Sequence, residues 1–274
     1  MYAAIHHDEE RIAMRSLLLG VVFAGLGAGC ALETGDSNEE ILAGSNYVAM
    51  GDSYASGTGT REYYDSTCQR SNFSYAVKIA DQDGLQLSHV ACSGARIPDV
   101  RANQLSALSV SSNLVTISIG GNDAGFADVI SRCALPFPFT CTNEINNAKS
   151  FISNTLPGQL DSLYSDIRNR APNAHVVVVG YPRLFNGQEC NLGARISSGE
   201  QSDLNAVADL LAQKISGVAA AHGFDFVDPR AAFDPHRICS SVEWLNGLSN
   251  PVSESYHPNR AGHDGFVALI QPRI

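Results

Sequence analysis

Continuous apolar, β-branched runs separated by stretches of helical spacing constrain this chain more than any other feature. Val176 to Val179 is such a run, with no polar residue to mark a solvent face. A strand of that kind is buried on both sides, as in a parallel sheet covered by helices. Leu114-Val115-Thr116-Ile117-Ser118-Ile119 is a second run, stopped by Gly120-Gly121-Asn122-Asp123. Tyr47-Val48-Ala49-Met50 is a third, and it runs into a Gly51-Asp52-Ser53 turn and then small residues. Leu85 to Val90 and Phe224 to Val227 complete the set of strands. Between them, Leu160, Leu163, Tyr164 and Ile167 recur at helical spacing, as do Leu204, Val207, Leu211, Ile215 and Val218. Ser198 or Ser202 is the expected start of the latter helix and Gly223 its stop. A further helical stretch lies around Tyr75 to Ala80, and a last one follows Asn259 as cap, with Phe266, Leu269 and Ile270 facing inward. Strands alternating with helices predict an α/β fold, a central parallel sheet with helices on both faces. No internal repeat or second domain is evident.

The N-terminus reads differently. From Met14 the chain runs Met-Arg-Ser-Leu-Leu-Leu-Gly-Val-Val-Phe-Ala-Gly-Leu-Gly-Ala-Gly-Cys. A basic residue, a short apolar run and small residues form the layout of a secretory signal peptide, and the run is short for a membrane span. Gly27-Ala28-Gly29-Cys30 resembles a bacterial lipoprotein cleavage box, with Gly27 where leucine is usual; Cys30 would then carry the lipid and anchor the chain to a membrane. The expected organisation is a signal peptide over 1–30, a flexible tether over 31–45 containing Glu33, Asp36, Glu39 and Glu40, and one domain over 46–274. The net charge of −10 is not interrupted by a basic cluster, which argues against a nucleic-acid partner. The domain is expected to be an exported monomer, either freely secreted or held at the cell envelope.

Beyond Cys30 there are six cysteines: Cys68, Cys92, Cys133, Cys141, Cys190 and Cys239. An even number in an exported chain suggests disulfides, though fifteen pairings are open. Neither Cys-x-x-Cys nor His-Glu-x-x-His occurs, so no metal site is expected. Cys133 to Cys141 encloses Pro136 and Pro138 and must be a loop. It reads either as a stapled surface loop or as an apolar lip over an acyl pocket. Among the histidines, His263 is expected on a helix surface, and His89 and His175 are expected to be structural.

A parallel sheet would bring Ser53, Gly94 and Asn122, each following a strand, to one edge. A serine needs a base to become a nucleophile, and His257, in Ser255-Tyr256-His257-Pro258, is the candidate. The backbone N–H groups of Ser53 and Gly94 with the Asn122 amide would supply three donors to a tetrahedral oxyanion. Taken singly, Gly-Asp-Ser is an ordinary turn, Gly94 a turn residue and Asn122 a cap; their joint placement favours chemistry. Ala55 occupies the last position of a Gly-x-Ser-x-Gly elbow, which counts against the common α/β-hydrolase fold.

Gly51-Asp52-Ser53, Gly94, Gly121-Asn122-Asp123 and His257-Pro258, in that order, resemble the four blocks of the SGNH (GDSL-type) hydrolase family. The resemblance implies a flavodoxin-like three-layer α/β/α sandwich with strand order 2-1-3-4-5 and ester hydrolysis at the strand ends. It is nearest to secreted bacterial esterases and lipases with three sequential disulfides, which implies Cys68–Cys92, Cys133–Cys141 and Cys190–Cys239. The family usually has Asp three residues before the histidine, and this chain has Glu254. Either that carboxylate is the third member with Ser53 and His257, or a main-chain carbonyl orients the imidazole. The function expected is a serine ester hydrolase of carboxylesterase or lipase type, acting through an acyl-enzyme on a small-molecule or lipid ester without metal or organic cofactor. A carbohydrate O-deacetylase is the enzymatic alternative, and a non-catalytic lipoprotein binding module the alternative of another class.

Overall fold

A computed structural model describes residues 41–274, apart from 136–137, 191–192 and 194–195. The expected signal peptide, Cys30 and the tether up to residue 40 lie outside the described residues.

In chain order the elements are β1 (Asn46–Gly51), α1 (Ser53–Ser56), α2 (Tyr75–Asp83), β2 (Gln86–His89) and α3 (Ile97–Asn103). They continue with β3 (Leu114–Ser118), α4 (Phe126–Cys133), α5 (Thr142–Asn154), α6 (Leu156–Arg170) and β4 (His175–Val179). The last are α7 (Ser198–Ala221), β5 (Asp225–Val227), α8 (Arg230–Phe233) and α9 (Arg260–Ile270). All five strands are parallel and lie in the order β2-β1-β3-β4-β5, as the resemblance implied. Helices α3, α5, α6 and α7 pack on one another in one layer, and α2, α8 and α9 in the other. The strand order reverses between β1 and β3, so the loops leaving those two strands diverge and open a crevice between them.

Local chemistry explains most boundaries. In α7 the cap is Ser197 rather than Ser198 or Ser202: its hydroxyl accepts from the Glu200 N–H, while the Glu200 side chain accepts from the Ser197 N–H. This reciprocal box satisfies two otherwise orphaned donors. Asn259 caps α9 through Gly262 N–H. Helix α5 has no apolar run and several residues of low helix propensity. It is held by Ile145, Ala148 and Ile152, all buried against its neighbours. That tertiary support outweighs its propensity.

His263 is fully buried rather than on the helix surface as the sequence suggested. Its Nδ1 accepts the Tyr75 N–H at 3.2 Å, at the start of α2, and its ring lies near Tyr75 and Phe266. Burial holds it neutral, with a pKa pushed down to about 3. His89 is structural as expected, set between Tyr64 and the Ala55 carbonyl.

The three disulfides are Cys68–Cys92, Cys133–Cys141 and Cys190–Cys239. They span separations of 24, 8 and 49 residues. The loop-entropy relation assigns them roughly 3.5, 2.5 and 4 kcal/mol. Replacing each pair by serine should therefore lower the urea midpoint most for Cys190/Cys239 and least for Cys133/Cys141. An inverted order in equilibrium unfolding would show that native packing, not loop closure, sets their contributions.

Candidate active site

The site begins with the way β1 ends. Gly51 has φ +120, and a Cβ there would collide with the Ser118 carbonyl, so glycine is required for this approach. The chain is then gripped from two sides. Asp52 N–H donates to Ser118 O at 2.9 Å. The buried Gln104 carboxamide accepts from Gly51 N–H at 2.7 Å and donates to Gly51 O at 2.9 Å, completing the backbone pairing where the sheet runs out. Asp52 caps the single turn of α1, accepting Tyr54 N–H at 3.0 Å. Ser53 is thereby fixed at the first position of a helix at the carboxyl end of the sheet.

Asp52 is 1% exposed, and burial raises its carboxyl pKa to about 7 despite the hydrogen bonds it accepts. One of these comes from the Tyr181 hydroxyl at 2.5 Å. The same hydroxyl accepts Gly121 N–H at 3.2 Å, so Tyr181 bridges the serine turn and the β3 exit. The sequence reading missed both Tyr181 and Gln104. Tyr181 follows β4 at the same sheet edge as Ser53 and Asn122, a position that could have flagged it; nothing in the local sequence marks Gln104.

Gly94 and Asn122 are stitched together. The Asn122 amide donates to Ala95 O at 3.0 Å, which locks its orientation and leaves its second hydrogen available. Asp123 accepts from Ile97 N–H, Cys92 N–H donates to Gly51 O, and Ser93 N–H donates to Cys68 O. The N–H groups of Ser53 and Gly94 have no acceptor among the described residues, as expected of the first position of a helix and of an open turn.

His257 arrives from the other end of the chain. Its Nε2 lies 2.9 Å from Ser53 Oγ, and its Nδ1 lies 2.8 Å from the Ser255 carbonyl. A carbonyl only accepts, so Nδ1 carries the proton and Nε2 is the acceptor facing the serine hydroxyl. Burial drives the imidazole pKa down to about 4, opposed by the Ser255 bond. Close approach of this segment depends on Gly59, where a Cβ would strike Pro258 and His257.

Glu254 is 2% exposed and makes no hydrogen bond to the imidazole: its Oε1 accepts the Tyr63 hydroxyl at 2.5 Å, while Oε2 is buried without a partner among the described residues. Glu254 O accepts from the Asn246 amide, whose Nδ2 also reaches Gly59 O. The carboxylate therefore ties the histidine segment to the loop after Ser53. The atom at hydrogen-bond distance from Nδ1 is the carbonyl of the next residue.

A cavity of about 370 Å³ opens beside His257 and Asn122. Its walls are largely apolar, with Phe126, Ile130 and Ala134 from α4 and its end, Ala208 and Leu211 from α7, and Val252. The arrangement can hold an apolar chain next to a hydrogen-bonded Ser-His pair.

The profile of the GDSL-like Lipase/Acylhydrolase family matches residues 49–264. Lipase 1 of Streptomyces coelicolor is 43% identical over 248 residues, covering 88% of this chain and 91% of that protein. The crystal structure of an extracellular lipase from Streptomyces rimosus superposes with a TM-score of 0.80 at 41% identity, covering 84% of this chain and all of that one. That of phospholipase A1 from Streptomyces albidoflavus NA297 gives a TM-score of 0.81 at 42% identity, covering 85% of this chain and all of that one. With these matches running through every strand and both halves of the site, the chain belongs to the GDSL-like lipase/acylhydrolase family and is an ester hydrolase.

Proposed function

We propose that this protein hydrolyses carboxylic esters of lipids through an acyl-enzyme formed on Ser53. The observation that carries the reading is the continuous chain Ser53 Oγ, His257 Nε2, His257 Nδ1, Ser255 O, with steps of 2.9 and 2.8 Å. His257 takes the hydroxyl proton at Nε2 as Ser53 Oγ attacks the ester carbonyl carbon. The oxyanion is held by Ser53 N–H, Gly94 N–H and the free Asn122 amide hydrogen. Collapse breaks the bond to the alcohol, which leaves with the proton from Nε2, and water then hydrolyses the acyl-enzyme by the same route in reverse. The apolar cavity beside Asn122 suits an acyl chain better than a sugar, which favours a lipid ester over a carbohydrate acetate. The relatives named as lipases and as a phospholipase A1 support the same choice. Export is part of the proposal: one relative is named extracellular, and Arg15, the apolar run after it and Cys30 supply the leader. Mass spectrometry of the mature chain would show a lipidated Cys30 or, for a freely secreted form, another N-terminus.

Turnover of p-nitrophenyl esters of rising chain length, set beside acetylated xylan, tests the substrate class; a preference for the polysaccharide would favour the deacetylase. Ser53→Ala and His257→Ala should each lower kcat by at least about 10⁴, since either loss disables the same nucleophile. Asn122→Ala should cost roughly 10²–10³ in kcat with KM little changed. Glu254→Gln should cost less than about tenfold, against the roughly 10⁴ seen when a triad carboxylate is neutralised. A loss above a hundredfold in a folded Glu254→Gln protein would transfer the orienting role to the carboxylate.

The pH profile gives a separate check. A lowered imidazole pKa keeps His257 neutral, and so competent as a base, as pH falls below the ordinary value of about 6.5. The acid limb of kcat/KM should accordingly lie below 6.5 and toward 4. An acid limb at or above 6.5 would mean that His257 is better solvated than its surroundings indicate.

A further inference from the structure

The mechanism above uses the loops that leave β1, β2 and β3. The loop that leaves β4 reaches the same sheet edge and brings Tyr181, which is buried. Its hydroxyl donates to Asp52 Oδ2 at 2.5 Å and accepts the Gly121 N–H at 3.2 Å. The phenol thus spends its one hydrogen on the nucleophile turn and a lone pair on the residue before Asn122. Contact reinforces the bond, since a Cβ built on Gly121 would lie 3.2 Å from Tyr181 Cζ. The ring is braced in turn by Tyr54, edge-on with centres 5.0 Å apart.

Two observations indicate that the bridge does more than fill space. Asp52 is buried, and no Lys or Arg among the described residues pairs with it. A carboxyl kept in the interior on neutral donors is costly, and an asparagine would cap the turn of α1 as well. Capping therefore does not account for the aspartate. What only a carboxylate offers is a second acceptor oxygen, and Tyr181 occupies it. The other observation concerns Gly121, whose N–H has the phenol oxygen as its acceptor among the described residues. Main chain at the entrance to the Asn122 loop is thus placed by a side chain that is itself anchored beside Ser53.

We propose that Tyr181 is a positioning residue of the reaction: its hydroxyl, anchored on Asp52, sets where Gly121 and hence the Asn122 amide stand relative to Ser53. This inference rests on the ester-hydrolase reading above, with Asn122 as an oxyanion donor, and adds the group that aligns this donor with the nucleophile. A displacement of about 1 Å at a catalytic group can cost on the order of 10² in rate. The oxyanion exists only after attack, so the loss belongs to the transition state and leaves substrate binding alone.

The test uses Tyr181→Phe, which keeps the ring and removes the hydroxyl. With p-nitrophenyl butyrate, kcat should fall by about 10–10² while KM stays within about twofold. A trifluoromethyl ketone, whose carbonyl oxygen becomes an oxyanion when Ser53 adds to it, should bind more weakly by a similar factor. The decisive arm is a double-mutant cycle. In an Asn122→Ala background, Tyr181→Phe should cost less than about threefold, because the donor it aligns is already gone; a hydroxyl that serves the fold alone would cost the same in both backgrounds. Thermal unfolding of each variant accompanies the kinetics. If Tyr181→Phe does not fold, Asp52→Asn carries the same cycle, since it retains a capping oxygen but presents a donor to the phenol where there was an acceptor. A folded Tyr181→Phe protein with kcat within about threefold of the parent would overturn the proposal, as would equal losses with and without the Asn122 amide. Failure of the underlying reading is distinguishable: Asn122→Ala alone would then leave kcat unchanged.

Discussion

The site depends on the contact between Gly51 and Ser118, where β1 and β3 part. Backbone can approach backbone this closely only because Gly51 carries no Cβ, and the Asp52 N–H to Ser118 O bond then fixes the direction in which the chain turns. Gln104 meets both polar groups of Gly51 from its other side, so neither main-chain group of Gly51 is left without a partner in the interior. A buried backbone group without a partner would cost on the order of 1–3 kcal/mol. The serine therefore stands on a turn whose geometry is over-determined before any catalytic partner arrives.

Asp52 shows what this arrangement costs. A carboxyl group at 1% exposure is strongly desolvated, and its raised pKa of about 7 reflects that. A group whose folded pKa is raised binds protons more readily folded than unfolded. Its contribution to stability is complete at acid pH and declines as pH climbs from the ordinary carboxylate range toward 7. His257, His263 and His89 act in the opposite sense: all are held below their ordinary values, so protonation of the unfolded chain weakens the fold as pH drops below about 6.5. The two effects overlap between pH 4 and 7 and oppose each other there. What Asp52 supplies in return is organisation, since Tyr181 reaches from it to Gly121 N–H and couples the serine turn to the loop of Asn122.

Much of this was legible in the sequence because the relevant signals are local. A buried parallel strand declares itself by an unbroken apolar run, and the residues after such strands must meet at one sheet edge. That logic brought Ser53, Gly94 and Asn122 into one hypothesis before any geometry was known. The resemblance added strand order and disulfide pairing, which composition could not. What escaped was long-range. Gln104 sits in a polar stretch and matters only because Gly51 faces it, 53 residues away. His263 was expected at the surface, and its neighbour Asp264 is indeed exposed, but α9 turns the histidine onto the start of α2, where Tyr75 N–H needs an acceptor. Helix α5 was invisible because its stability lies in packing rather than in its own residues.

The segment Val252 to His257 shows how consecutive residues can be assigned to different tasks by backbone direction alone. Val252 points outward at the cavity mouth, Glu254 inward to Tyr63, and the Ser255 carbonyl toward the imidazole. Tyr256 has φ +62, in the left-handed region that a bulky residue seldom occupies. It is held there by its N–H to Asn246 O and by the Tyr54 hydroxyl on its own carbonyl. Tyr54 is the residue after Ser53, so the serine turn itself bonds to the backbone reversal that presents His257. With Nδ1 bonded to the Ser255 carbonyl, the Glu254 carboxylate is left to its bond with Tyr63. Glu254 is buried and bound to Tyr63, which holds this segment against the loop after Ser53. The glutamate that stands where the family usually has Asp thus meets Tyr63 in the loop after Ser53, while the imidazole meets the carbonyl of the next residue.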